Sequence, residues 1–556
     1  MDKDSQWWQQ AVIYQIYPRS FNDSNGDGIG DLQGIIDRVD YLEQLGVDAV
    51  WLNPVYQSPN DDNGYDISNY RSIMDEFGTM KDMDKLLETF HDHGIKVIMD
   101  LVLNHTSDEH PWFINSRSSK NSQYRNYYIW KPGTDEGPPN NWTSAFGGSA
   151  WEYDPQTEEY YLHLFSRKQP DLNWENPDLR QDLYQMINWW LEKGIDGFRL
   201  DVINFISKNQ NFPDGQPGEA VGKEHYANGP RIHEFLSEMA EKTFDKHRAM
   251  AVGETPFLTS DQALDFVGED SNELDMVIPF EPLELDRIDR ENWQIRDWEL
   301  RELKNIISSW QRKLQEKNGW VSLYFNNHDQ PRIVSRYGDD NQYHRQSATM
   351  LATLLFTLRG TPFIYQGEEI GMTNTEFSGL DDFDDIGTRN FVREAREAGQ
   401  LNREEILRLA SYLSRDNART PKQWDDSRYA GFTTGQPWLK VNPDYPCINV
   451  KKALADQDSI LHYYKKLIKL RKKYPSLVYD EYRLLLEDDP ILFTYLRRYQ
   501  DQTIGVILNF VGDKTPDERL PGKFAVADRE LLLGNYGDDP NLSENLRPYE
   551  ARIYKL

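Results

Sequence analysis

Residues 96–104 read KVIMDLVLN, a nearly continuous apolar run. A run of this length without alternation suits a strand buried on both faces, as in a parallel sheet covered by helices. Working outward, MKDMDKLLETFHDHG (80–94) has helical spacing, and before it lie AVWLNP (49–54), the helical pattern LQGIIDRVDYLEQLG (32–46) and AVIYQIYP (11–18). Beyond Asn104 the rhythm stops in a stretch rich in Pro, Asn, Gly and aromatics, then resumes with DLRQDLYQMINWWLEKG (178–194) and GFRLDV (197–202). AMAVGE (249–254), DMVIPF (275–280), VSLYFNNHD (321–329) and TPFIYQGEE (361–369) complete eight strand candidates. Eight parallel strands alternating with helices predict an α/β fold, a (β/α)8 TIM barrel built from residues 1–104 and 177–479. A loop-rich domain of residues 105–176 is expected as an insertion after the third strand. From 480 to 556, short alternating strands such as ILFTYLRRY and TIGVILNF predict a C-terminal antiparallel β-sandwich.

The 556 residues carry a net charge of −30, so nucleic acids and anionic membrane surfaces are poor partners, whereas a neutral ligand is not repelled. Aromatic residues make up 13% of the chain, enough to pack a core and still supply flat apolar surfaces for sugar rings. Cys447 is the single cysteine, which rules out an intrachain disulfide and favours a reducing compartment. The N-terminal stretch lacks the basic and apolar regions of a secretory signal, and no run is long and apolar enough to span a bilayer. A cytoplasmic monomer is expected.

In such barrels the active site lies at the C-terminal ends of the strands. The polar residues there are Asn104 and His105 after the third strand, Arg199 and Asp201 at the fourth, Glu254 at the fifth, and His328 with Asp329 at the seventh. Cleavage through an oxocarbenium-like transition state needs one carboxylate as nucleophile and one protonated carboxyl as general acid. Asp201 lies two residues past Arg199, on the same face of a strand, where the guanidinium favours the ionised carboxylate. Glu254 ends an apolar run in which desolvation would raise its pKa and suit it to donate a proton.

A second pattern lies in NDSNGDGIGDL (22–32), where Asp23, Asn25, Asp27 and Asp31 alternate like the ligands of an EF-hand loop. A calcium sensor is excluded, because the twelfth position is Gly34 instead of a bidentate Glu and the preceding element is a strand. The oxygen spacing itself survives: side chains of Asp23, Asn25, Asp27 and Asp31 with the carbonyl of Ile29 suit one hard cation, Ca²⁺ before Mg²⁺.

Taken in order, GVDAVWLNPVYQSP, DLVLNHTS, QPDLNWENP, GFRLDVINFISK, AVGETP and NNHDQPR resemble the motifs of the α-amylase superfamily, glycoside hydrolase family 13. The similarity is greatest to its oligo-1,6-glucosidase and dextran glucosidase branch and runs on through SRDNARTPKQWDD. The resemblance implies that Asp201 is the nucleophile, Glu254 the acid and then the base, and Asp329 the third carboxylate gripping the sugar hydroxyls. The reaction would retain configuration, which asks for nucleophile and acid carboxyls roughly 5 to 5.5 Å apart.

It further implies that His105, Arg199 and His328 bind the same sugar, and that Asp66 and Arg415 pair to hold its terminal 4-hydroxyl. Phe146, Phe165 and Gln169 would line the pocket, while Tyr65 and Trp51 are left to structural roles. Val202, the stiff β-branched residue after the nucleophile, would crowd an α-1,4-linked leaving sugar and so favours α-1,6 bonds. The loop at 23–31 resembles a structural calcium site of the branch. Two related activities stay open: trehalose-6-phosphate hydrolysis, if Lys208, Lys223 or Arg231 formed a phosphate patch, and sucrose isomerisation, whose charged loop ELDRIDREN (284–292) matches only in part. A non-enzymatic transporter partner is disfavoured, because Asp201, Glu254 and Asp329 are all present.

Overall fold

The computed structural model describes residues 6–135, 137–289, 293–479, 481–513, 515–516, 529–537 and 545–556. Eight short strands form its centre: β1 (Ile13–Ile16), β2 (Ala49–Leu52), β3 (Lys96–Val102), β4 (Gly197–Asp201), β5 (Met250–Glu254), β6 (Met276–Ile278), β7 (Ser322–Leu323) and β8 (Thr361–Tyr365). They neighbour one another in the order β6-β5-β4-β3-β2-β1-β8-β7, always in parallel. A single parallel bridge between Val277 and Val321 joins the two ends and closes the ring. Each expected barrel strand is present. From VSLYFNNHD only Val321, through its bridge, and the strand Ser322–Leu323 pair in the ring, and the stretch beyond turns back on itself through the Asn327–Gln330 bridge.

The helices follow from their periodicity and caps. In α1 (Met80–Asp92), Met83, Leu86, Leu87 and Phe90 recur on one face and are buried, while Thr79 and Asp82 close a capping box. In α2 (Pro177–Lys193), Asn176 caps the start, Pro177 takes the first position, and Gly194 ends the helix in the left-handed conformation. The pattern at 32–46 is two helices, Leu32–Ile36 and Val39–Leu45, instead of one. The break lies at Asp37–Arg38, where Arg38 donates to Asn22 Oδ1 and lies over the Trp424 ring.

The segment expected to be loop-rich holds more order than its composition suggests. It contains the helix Pro111–Ser118 and a three-stranded antiparallel sheet of Trp130–Lys131, Glu159–Leu162 and Trp151–Asp154. After β8 comes a lobe whose helical hairpin, α3 (Ile386–Ala398) and α4 (Arg403–Leu413), turns at Gly399 and restarts at the Asn402 capping box. At the C-terminal end a five-stranded antiparallel sheet runs in the order Glu481–Leu485, Leu492–Tyr499, Gln502–Asn509, Ala551–Lys555, Glu530–Gly534. One face joins the main core, and on the other Leu492, Leu496 and Ile507 pack with Leu546 from a separate strand pair. Residues 517–528 and 538–544 of the expected sandwich lie outside the described residues, as do residues 290–292 of the ELDRIDREN loop.

Candidate active site

Asp201 and Glu254 are the last residues of β4 and β5, so both carboxyls stand at the C-terminal rim of the barrel. Register sets their surroundings: Arg199 lies opposite Asp100 of β3 and Val252 of β5. The Arg199 guanidinium thereby reaches three carboxylates, with Nη1 at 2.6 Å from Asp100 and 2.7 Å from Asp201, and Nη2 at 2.5 Å from Glu254. One planar fork holds the two candidate reacting carboxyls on its two nitrogens, which fixes their mutual position.

Asp201 and Glu254 are only 7% and 5% exposed, and desolvation dominates their titration. Burial lifts Asp201 to about 6 in spite of Arg199, and lifts Glu254 to about 7 against the same guanidinium, with Asp201 and Asp329 adding repulsion to Glu254. Arg199 by itself would hold the Asp201 carboxyl low; burial outweighs it, though the carboxylate stays ionised above about 6. Glu254 is held from a second side by the Val202 N–H, 3.1 Å from Oε2. Val202 takes φ 36° and ψ 42°, a left-handed state that a β-branched side chain adopts only under constraint.

Asp329 behaves oppositely. Burial would raise its carboxyl, but His328, Arg415 and Arg419 outweigh it and hold it well below the usual carboxylate range. His328 Nε2 lies 3.1 Å from Asp329 Oδ2, while Arg415 and Arg419 reach Oδ1 at 3.1 and 3.0 Å. The ring of His328 is oriented from behind, since Gln15 Nε2 also donates to Asn53 and therefore presents N–H to Nδ1, which leaves the Nε2 proton to face Asp329 and Tyr65.

A cavity of about 480 Å³ opens above these groups. Among the expected residues, His105, Phe146, Phe165, Asp201, Val202, Glu254, Asp329 and Arg415 line it. Arg199, His328 and Gln169 stand behind that lining, buried. Gln169 Nε2 lies 3.2 Å from both His105 Nε2 and Asp62 Oδ2, so it positions neighbours. His105 is pushed down to about 4 by burial and is therefore neutral at ordinary pH. Phe146 and Phe165 pack edge to face at 5.9 Å, and the Arg415 guanidinium sits 5.3 Å from the Phe146 ring.

The expected pairing of Asp66 with Arg415 is not formed. Asp66 is fully buried and accepts from Ser58 Oγ and the backbone N–H groups of Asp61 and Asp62, so its oxygens fold the loop. The partner of Arg415 is Asp62, at 3.1 Å and on the cavity wall, with Asp385 at 2.6 Å on the guanidinium's Nε. Asp62 stands four residues before Asp66 in the same DDNGYD stretch, and alternation cannot say which carboxylate of a turn faces the site. Tyr65, which the sequence reading left to structure, lines the cavity and hydrogen-bonds Asp100 and His328. Trp51 is structural as expected, its indole N–H bound to Asp100. Asp100, Asp385 and Arg419 were also overlooked. Their signals were a lone charge within the apolar run KVIMDLVLN, an N-cap Asp before α3, and an Arg spaced i,i+4 from Arg415.

Of the three cations considered for phosphate, two are engaged elsewhere, buried Lys208 with Asp171 and Asn104, and Arg231 with Glu175 and Glu234, whereas Lys223 lies 3.9 Å from Glu219 and over the Phe257 ring, against two residues of the cavity wall. None of the three lines the cavity, whose walls carry Glu219 and Glu394 instead.

In the loop after β1, Asp23, Asn25 and Asp27 each accept a backbone N–H two residues on, which curls the chain so that alternate side chains offer further oxygen lone pairs. Asp23 also takes the Thr433 hydroxyl, and Gly28 lies against Gln436 so closely that a Cβ would meet its carbonyl oxygen at 1.9 Å. The all-oxygen donor chemistry suits a hard cation, while here the Asp23, Asn25 and Asp27 side chains are turned onto backbone N–H groups and the carboxylates do not gather into one cluster. Asp23 is the most engaged of the set, its Oδ1 accepting from the Asn25 and Gly26 N–H groups and its Oδ2 from the Gly28 N–H and the Thr433 hydroxyl, and in Asp31 one oxygen caps the helix at Leu32–Ile36 while the other accepts from Ser24.

Comparison with known proteins agrees with this geometry. Residues 15–480 match the alpha amylase catalytic domain. The chain is 56% identical to an oligo-1,6-glucosidase of Parageobacillus thermoglucosidasius over 557 residues, covering 99% of each protein, and 54% identical to that of Bacillus cereus over 559 residues, covering 100% of each. Among solved structures, trehalose-6-phosphate hydrolase of Bacillus licheniformis superposes with a TM-score of 0.93 at 47% identity, covering 99% of this chain and 100% of that one.

Proposed function

The chain belongs to the α-amylase family, glycoside hydrolase family 13, and from that premise we propose that it is a retaining, exo-acting α-glucosidase. It hydrolyses α-1,6-glucosidic bonds at the non-reducing end of isomalto-oligosaccharides. The observation that carries the reading is the Arg199 fork joining Asp201 and Glu254 at the foot of a cavity closed on one side by the Asp62–Arg415 pair.

Ionised Asp201 attacks the anomeric carbon as Glu254 gives its proton to the departing oxygen, leaving a β-glucosyl ester on Asp201. Glu254, now a carboxylate, takes a proton from water, which attacks the same carbon and frees Asp201 with α-glucose released. The raised carboxyl of Glu254 and the still-ionised Asp201 suit those opposite roles. Asp329, kept ionised by Arg415, Arg419 and His328, accepts hydrogen bonds from the sugar hydroxyls. Asp62 and Arg415 hold the terminal 4-hydroxyl, and with Phe146 beside them a chain cannot extend past that glucose. Val202 on the cavity wall sets the α-1,6 preference.

The loop of Asp23, Asn25, Asp27, Ile29 and Asp31 would hold a structural Ca²⁺, which would neutralise its carboxylates and take no part in bond cleavage. The protein acts as a monomer on neutral sugars in the cytoplasm, a setting favoured by its single cysteine. Among the described residues no helix is long and apolar enough to cross a membrane. The test is turnover of isomaltose, panose, dextran, maltose, sucrose, trehalose and trehalose 6-phosphate by the purified enzyme. Isomaltose and panose are expected to lead; equal efficiency on maltose would overturn the linkage preference, and a lead for trehalose 6-phosphate would overturn the substrate.

A further inference from the structure

One wall of the cavity carries a feature that cleavage of a single terminal glucose does not use. Trp293, on the loop after β6, and Phe391, on α3, lie face to face with ring centroids 4.5 Å apart and planes 9° from parallel. Both line the cavity and both are only partly buried. Trp293 holds φ 51°, a left-handed state unfavourable for any residue but glycine. Beside it, Arg287 also lines the wall, and its buried Nε–H finds no partner among the described residues.

The position of this wall follows from the chemistry. Glu254 must touch the oxygen between the cleaved glucose and its leaving group, so the first leaving sugar lies against the loop after β5, where Pro256 and Phe257 continue the lining. Trp293 comes from the loop after β6, the strand next to β5 in the ring, and meets Phe391 of α3 on the same cavity wall. We propose that Trp293, backed by Phe391, is the stacking platform of a second leaving-group subsite, which takes the neutral glucosyl unit one step beyond the sugar released. Arg287 lies beside that subsite as a donor to its hydroxyls. The inference rests on the glucosidase reading above. A flat apolar ring suits the C–H face of a pyranose, and the neighbouring Glu394 accepts from hydroxyls while repelling anionic chains.

The test is kcat/KM on isomaltose, isomaltotriose and isomaltotetraose for the unmodified enzyme, Trp293→Ala, Trp293→Phe and Phe391→Leu. In the unmodified enzyme, efficiency is expected to rise about tenfold from the disaccharide to the trisaccharide and then level off. Trp293→Ala should bring the trisaccharide-to-disaccharide ratio close to one, and Trp293→Phe should keep part of the gain. If Trp293→Ala does not fold, Phe391→Leu, which keeps apolar volume but removes the flat backing, should lower the same ratio. A ratio near one in the unmodified enzyme, or one retained by these variants, would overturn the subsite while leaving the glucosidase reading in place. Failure to cleave any of the three sugars would instead remove the reading on which it rests, and the subsite with it.

Discussion

Replacing Asp201 by Asn removes the attacking charge without changing the volume of the site, so kcat should fall by roughly a thousandfold or more on every substrate. Glu254→Gln should lose roughly 10²- to 10⁴-fold on isomaltose but less in the first step on 4-nitrophenyl α-glucoside, whose leaving group needs no proton; burst kinetics separate the two cases. The pH profile follows from the same pair. Activity needs Asp201 ionised and Glu254 protonated, so kcat/KM should rise as pH climbs through about 6 and fall as it passes about 7. A flat profile from 5 to 8 would contradict those roles. The exchange of Asp66 for Asp62 has its own signature: Asp62→Asn should lower kcat/KM on isomaltose by roughly 10- to 100-fold, whereas Asp66→Asn, which keeps one accepting oxygen and turns the other position into an NH2 donor facing a donor of the same loop, should act chiefly on the melting temperature.

At the scale of elements, the curled loop between β1 and the following helices is the one most open to manipulation. Removing calcium with a chelator should lower the melting temperature by a few degrees, with turnover well below that temperature little changed; an unchanged melting temperature in a verified metal-free sample would count against the clip. The elements differ in how plainly the chain announces them. The strand β3 and the helix α1 are legible because burial forces long apolar runs and 3.6-residue spacing, and Thr79 marks the helix start. The helical hairpin after β8 carried equally plain signals in Gly399 and the Asn402 capping box, yet a barrel template absorbs it as one more connection. The three-stranded sheet at 130–162 was hidden by its Pro- and Asn-rich flanks, which dominate a window average.

For the whole molecule, the barrel and the carboxylates of Asp201 and Glu254 could be read from the sequence because strand ends are fixed by the fold, whereas Asp329 stands on the turn beyond Leu323 and is named through its motif. Of the walls, Phe146, Phe165 and Arg415 are named by the family resemblance, whereas Asp62, Asp385 and Trp293 are not, since they arrive from loops whose direction only tertiary packing decides. The ring itself is uneven: β3 and β4 share five register pairs, whereas β6 and β7 meet through the single Val277–Val321 bridge. Closure is therefore thinnest beside the strand that leads to His328 and Asp329. Backbone amides at Ser322 and Leu323 should exchange with deuterium well before those of Lys96–Val102, and a bound glucose gripping Asp329 should slow them selectively. The substrate would then act as the missing rung of the barrel, fastening the seam that its own binding depends on.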